Sequence, residues 1–275
     1  MTDTTGISDL QLAELTDLVK RAHGFDFSDY SKGSLKRRLS RIIMLKKISI
    51  EELMRLLQAE SQFFQWFLEE ITVNVTEMFR DPAFYKALKT QVIPYLSSFD
   101  HIRAWSAGCS SGEELYSLSI LFNQAGLSDR SFLYGTDIHS AMLNEARNGV
   151  YSMRKIKSYE DNYVQSEMTG SLTDHFNMMN DAGSIRNNLR QNTLFSVHNL
   201  LTDSVFNQFQ LISCRNVFIY FESALQEKIL KLFYNSLSPN GFLCLGTKET
   251  IRFPEMKNKF RVVNSKLNIY QKIGE

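Results

Sequence analysis

Residues 102–120, IRAWSAGCSSGEELYSLSI, decide the fold. The run 102–107 reads as a strand, and a helical pattern begins at Glu113 and reaches about residue 125. Strand, glycine turn and helix in that order open an α/β unit, with glycines at 108 and 112 allowing a ligand to come close to the backbone. A dinucleotide site would show G-x-G-x-x-G; here the spacing is G-x-x-x-G, followed by Glu113 and Glu114. Carboxylates at that helix start repel a phosphate and suit a cation, such as the ammonium of an amino acid. An ordinary glycine turn with dipole-favoured glutamates is the alternative at this point.

The next strand, 131–136, leads into Asp137, about 25 residues beyond the glycine loop. A carboxylate there accepts both hydroxyls of a ribose in a doubly wound fold. Taken with an ammonium-friendly loop, it indicates a nucleoside joined to an amino acid without phosphates, a description that fits S-adenosylmethionine. A helix at 140–148, strands at 193–198, 209–213 and 241–246, and a helix at 222–237 continue the alternation. The pattern implies a parallel sheet covered by helices on both faces. Two short strands, 259–263 and 267–272, form an expected terminal hairpin that adds an antiparallel strand.

Upstream the pattern is helical throughout. Leucines at helical spacing mark 8–22 after a Ser8 cap, and further helices are expected at 32–47, 50–57 and 62–71. Asp81-Pro82 reads as an N-cap and first helical residue, with the helix ending near Gln91, short of Pro94. The expected division is a helical domain over 1–76 and an α/β domain over 77–275. Residues 150–192 read as a small inserted β-subdomain with a hairpin near 176–190, because a forty-residue structureless loop is rare in a compact domain.

Composition narrows the function. The formal net charge of +1 gives no overall field for nucleic acid or membrane. Cys109, Cys214 and Cys244 sit in apolar contexts and read as buried thiols rather than disulfide partners. The five histidines are scattered, so no metal site is expected. The N-terminal sequence shows no signal-peptide pattern and no apolar run reaches about 18 residues, so a cytoplasmic location is expected.

Three other clusters are candidates. Asn199 follows a strand and either meets an adenine edge or caps the turn before Leu200. Arg215, Asn216 and Tyr220 follow an apolar strand and offer donors rather than a nucleophile; a structural arginine and a core tyrosine are the alternative. Asn74, Thr76 and Arg80 lie where the helical and α/β blocks meet, and domain boundaries often hold ligands. Lys36, Arg37, Arg38 and Arg41, with Lys46 and Lys47, make one helix basic: a solvated face, or a docking surface for an acidic helical partner.

In order, NVTEMFRD, RAWSAGCSSGEELYSLSI, LYGTDIHSAMLNEARNGVY, FSVHNLL and ISCRNVFIYFESALQEKILKLFYNSLSPNGFLCLG resemble the chemotaxis receptor methyltransferases, the CheR family, over about residues 10–273. The resemblance implies a small helical domain joined to a class I S-adenosylmethionine-dependent methyltransferase domain with a seven-stranded sheet. It implies glutamate side chains of chemoreceptors as substrate, methyl esters and S-adenosylhomocysteine as products, and a monomer. By position, Asn74, Thr76, Arg80 and Gly108 would line the cofactor pocket; Glu113 would hold the methionine ammonium and Asp137 the ribose. Asn199 and Leu200 would frame the adenine, while Arg80, Arg215, Asn216 and Tyr220 would lie near the sulfonium and the incoming carboxylate. The basic helix would meet the receptor's methylation helices.

Two departures stand out. The family often reads G-H-S-E where this chain has Gly246-Thr247-Lys248-Glu249, an expected change at the pocket rim. The insert lacks the glycine-rich loop with which some members dock a receptor's C-terminal pentapeptide, so recognition without that tether is expected. The rival readings are a methyltransferase for another signalling protein or small molecule, and a cofactor-binding regulatory module without turnover. A nucleic-acid methyltransferase ranks last.

Overall fold

The computed structural model describes residues 6–28, 30–72 and 76–274. The chain divides into two compact units, one of residues 1–74 and 219–226, the other of 75–218 and 227–275.

The described residues of the first unit include the helices α1 (Asp9–His23), α2 (Lys32–Lys46), α3 (Ile50–Ala59) and α4 (Ser61–Ile71). Ser8 accepts from the backbone of Gln11 while the Gln11 side chain returns to Ser8, a reciprocal cap that satisfies two orphan donors; Gly24 closes the other end in a left-handed conformation. Leu12, Leu15 and Val19 of α1 are buried, as are Leu35, Leu39 and Ile42 of α2, Leu53 and Leu57 of α3, and Phe67 of α4. These are the apolar faces predicted by the 3-4-7 spacing. His23 stacks on Phe64 at 3.9 Å, and Lys46 lies 4.1 Å above the half-buried Trp66 ring.

The second unit begins with α5 (Pro82–Ala87), a π-turn over Leu88–Val92 and α6 (Ile93–Leu96). Here the structure corrects two expectations. Helical winding passes Pro94 instead of ending near Gln91, because the wider π-turn absorbs the proline: Ile93 N–H bonds to the carbonyl of Leu88, five residues back. Asp81 makes no side-chain cap; its carboxylate is engaged by Arg215.

There follow β1 (Ile102–Ala107), α7 (Glu113–Gln124), β2 (Ser131–Asp137), α8 (Ser140–Asn148), β3 (Val150–Ser152), α9 (Met153–Gln165), β4 (Phe176–Met178), β5 (Ala182–Ile185), α10 (Asn187–Arg190) and β6 (Thr193–Val197). The chain continues through β7 (Phe209–Cys214), α11 (Ser223–Ser236), β8 (Leu237–Leu245), α12 (Pro254–Lys257), β9 (Phe260–Asn264) and β10 (Ile269–Lys272). The main sheet has the order β6-β2-β1-β7-β8-β10-β9. Its first five strands are parallel, and β10 runs antiparallel to both neighbours. This is the doubly wound sheet with one antiparallel strand expected of a class I methyltransferase, and the strand order reverses between β1 and β7.

Trp105 of β1 is fully buried; its Nε1 donates to Thr136 Oγ1 at 2.8 Å, and Phe206, Phe209, Phe233 and His198 surround the ring. Cys109, Cys214 and Cys244 are free, buried thiols. A second sheet, β3-β5-β4, is antiparallel, and α9 lies in sequence between its first two strands. The sequence reading found the β4–β5 hairpin and missed α9, although Ser152 caps it and Ile156, Tyr159 and Tyr163 share its buried face. Among the described residues, no helix is long and apolar enough to cross a membrane.

Candidate functional site

The carboxyl ends of β1, β2 and β7 bring most of the expected residues together. After β1 the chain turns through Gly108, Ser110 and Gly112, all with positive φ, before α7 begins. Glycine is needed at 108: a Cβ there would lie 2.6 Å from Val217 Cγ2. The turn is locked to β2 by the N–H groups of Gly108 and Cys109, both donating to the Thr136 carbonyl.

Glu113 opens α7 and is fully buried. Its carboxylate accepts from Ser111 Oγ at 2.7 Å and Tyr159 Oη at 3.3 Å, and Lys155 Nζ stands 3.3 Å away. Burial pushes its pKa above the ordinary carboxylate value, while Ser111 and Lys155 pull it back. Asp137, at the end of β2, accepts from Ser110 N–H at 2.8 Å and from His139 N–H at 3.0 Å, one bond on each oxygen. Each oxygen keeps further acceptor capacity for ligand hydroxyls.

Thr76 and Arg80 are half-buried, with Phe79 and Asp81 on either side of Arg80 held at φ 54 and 59. Left-handed backbone at two bulky or polar residues is strained, and strain of this kind gathers at functional sites. It is pinned by Ser117 Oγ accepting from Phe79 N–H at 2.9 Å and by the Phe79 ring set edge-on against Tyr163. Asn74 lies outside the described residues.

Arg215 is buried, with both terminal nitrogens of its guanidinium engaged. It contacts Asp81 Oδ2 at 2.6 Å, Glu114 Oε2 at 3.3 Å and the Arg80 carbonyl at 3.3 Å, and it lies 3.9 Å over the Phe84 ring. Asn216 has φ 63, and its N–H donates to Glu249 Oε2 at 2.9 Å; Gly246 N–H donates to the same oxygen. Glu249 is therefore the brace of this loop, while the substituted Thr247 and Lys248 are exposed. Asn199 caps its turn, Oδ1 accepting from Leu201 N–H at 3.0 Å, which leaves the amide NH₂ for a ligand; Leu200 is buried beside it in sequence.

Tyr220 belongs to the first unit, where its carbonyl accepts from Ser31 N–H at 2.9 Å and Arg38 lies 5.4 Å over its ring. Sequence reasoning missed Lys155, Tyr159, Ser111 and Glu249. Lys155 and Tyr159 stand one helical turn apart on α9, a signal that becomes readable once that helix is recognised.

These features fit an amino-acid nucleoside: a buried carboxylate suited to an ammonium, a backbone-braced carboxylate suited to a ribose, and a glycine turn between them. The all-alpha domain of CheR methyltransferases matches residues 10–72, and their SAM-binding domain matches residues 74–269. A Pseudomonas putida protein named as the methyltransferase Cher3 is 35% identical over 96% of this chain and 97% of its own length. The chemotaxis protein methyltransferase of Listeria monocytogenes is 34% identical over 87% of this chain and 89% of its own. That of Escherichia coli is 27% identical over 94% and 90%. The chain belongs to the CheR methyltransferase family and uses S-adenosylmethionine as methyl donor.

Proposed function

We propose that the protein esterifies glutamate side chains on the cytoplasmic helices of chemoreceptors. The observation that carries this is the pairing of buried Glu113 with backbone-braced Asp137 across one glycine turn, in a chain whose relatives include chemotaxis protein methyltransferases. When bound, S-adenosylmethionine supplies an activated methyl group on a sulfonium leaving group. Glu113 takes the ammonium, Asp137 the ribose hydroxyls, and Asn199 with Leu200 the adenine side. Gly108, Thr76 and Asn216 complete the wall.

A glutamate side chain has a pKa of about 4.3 and is already ionised at neutral pH, so no general base is required. The protein's task is alignment and exclusion of water. Arg80 is assigned to orient the incoming carboxylate, and Arg215 to hold the backbone of Arg80. Too firm a grip would blunt the nucleophile, so few contacts are expected.

The basic helix α2 supports docking of an acidic helix. Arg37 and Arg41 are exposed, Arg41 lying 3.8 Å from Glu70, while Lys36 is paired with Asp9 at 3.1 Å and Arg38 covers Tyr220. Arg37 and Arg41 thus remain exposed to a partner, as do Lys46 and Lys47 at the end of the same helix. The β4–β5 turn, Met179-Asn180-Asp181, contains no glycine, which supports recognition without a peptide tether. The decisive experiment is incubation with methyl-labelled cofactor and a receptor cytoplasmic fragment: base-labile label on glutamate is expected, and base-stable label or none would refute the proposal.

A further inference from the structure

Glu113 and Lys155 form an ion pair of unequal members. The carboxylate is fully buried at the start of α7, whereas the lysine side chain is 48% exposed. Lys155 sits in the first turn of α9, a helix anchored by buried Ile156, Tyr159 and Tyr163 and capped by Ser152. Its origin is therefore fixed while its four-carbon stem can swing. The separation of 3.3 Å exceeds the 2.7–2.9 Å of a tight charge-assisted bond. The lysine attends the carboxylate loosely, and Tyr159 Oη shares the same oxygen, Oε1.

An amino acid entering this site carries its ammonium and carboxylate on one carbon. If the ammonium alone were received, two cations would share a single buried carboxylate, an arrangement that low-dielectric surroundings penalise. The ligand's carboxylate removes the conflict, because Lys155 can exchange one anion for another without leaving the site. The four charges then alternate in sign.

We propose that Lys155, on the inserted subdomain, is a cofactor-binding residue that recognises the amino-acid carboxylate of the methyl donor, exchanging Glu113 for that carboxylate as the ammonium arrives. The proposal rests on the assignment of Glu113 to the ammonium. It makes the insert part of the cofactor pocket and sets specificity for the complete amino acid over its decarboxylated form.

The test is calorimetric binding of S-adenosylhomocysteine and of its decarboxylated analogue, which keeps the ammonium, to the full-length protein and to its Lys155→Met and Glu113→Gln variants. The wild type should favour S-adenosylhomocysteine by about tenfold or more, the range of one charge-assisted bond. Lys155→Met should weaken S-adenosylhomocysteine by a similar factor and leave the decarboxylated ligand unchanged or tighter. If Lys155→Met weakens both ligands equally, the lysine only keeps Glu113 ionised and the proposal falls; it falls also if neither is weakened. Both ligands binding Glu113→Gln normally would remove the ammonium assignment, and the proposal with it, while leaving cofactor use intact. No binding of either ligand to wild type would overturn cofactor use itself. Lys155 is half-exposed, so an unchanged circular dichroism spectrum is expected for Lys155→Met, with a melting temperature lowered by loss of the charge that faces buried Glu113.

Discussion

Arg215 Nη2 lies 2.6 Å from Asp81 Oδ2 and 3.3 Å from the carbonyl oxygen of Arg80. One guanidinium at the end of β7 therefore fixes a strained backbone segment more than 130 residues earlier in the chain, the segment that displays Arg80. Lysine cannot reproduce that fork. Arg215→Lys is expected to lower the turnover number by at least about tenfold and to cost roughly 1–3 kcal/mol in denaturant unfolding, part of the pair being solvent-screened at Asp81. Unchanged stability would show that the bracing is dispensable.

Arg80→Ala removes the side chain but not the carbonyl that Arg215 holds. Turnover should fall by about a hundredfold, the scale of one lost orienting or electrostatic contact, as read by label transfer to a receptor fragment. Undiminished turnover with normal S-adenosylhomocysteine affinity would withdraw Arg80 from orienting the substrate.

Glu249→Ala takes the acceptor from two backbone N–H groups, those of Asn216 and Gly246. Each buried donor left unsatisfied costs about 1–3 kcal/mol, so a loss of roughly 2–4 kcal/mol is expected in urea unfolding. The KM for the methyl donor should rise with it, because Asn216 is no longer held.

Glu113 should give cofactor affinity a characteristic acid limb. Desolvation raises its pKa above the ordinary carboxylate value, so it protonates at a higher pH than an exposed glutamate. Ammonium binding requires the ionised form, and affinity therefore falls as pH drops through the raised value. Unliganded stability runs the other way: the contribution of Glu113 is present in full below its unfolded-state pKa and is lost as pH rises through the folded value. Calorimetric titrations across mildly acidic pH should show the limb in wild type and its absence in Glu113→Gln.

The succession of strands and helices along the chain and the glycine turn after β1 were legible in the sequence because each rests on local chemistry. Glycines at 108 and 112, glutamates at a helix start and Asp137 at a strand end all declare themselves within a few residues. What could not be read depends on partners far away in the chain. The pairing of Asp81 with Arg215 defeats the N-cap that Asp81-Pro82 advertises, and the π-turn before Pro94 yields a longer helix than proline rules allow. The helix α9 was different: its cap and 3-4-7 spacing were present, but polar residues over most of its surface masked the period. Glu249 was in view only as a neighbour of two altered positions, since nothing local says that its carboxylate turns back toward Asn216.

The two tryptophans of the chain fall one to each compact unit, Trp66 under Lys46 in the helical one and Trp105 amid aromatic rings in the sheet. Trp105 is sealed from water and Trp66 is not. Nature has thus fitted each unit with its own fluorophore. Trp66→Phe and Trp105→Phe proteins would emit from opposite units, Trp105 at the shorter wavelength, so that the unfolding of either unit can be followed by its own light.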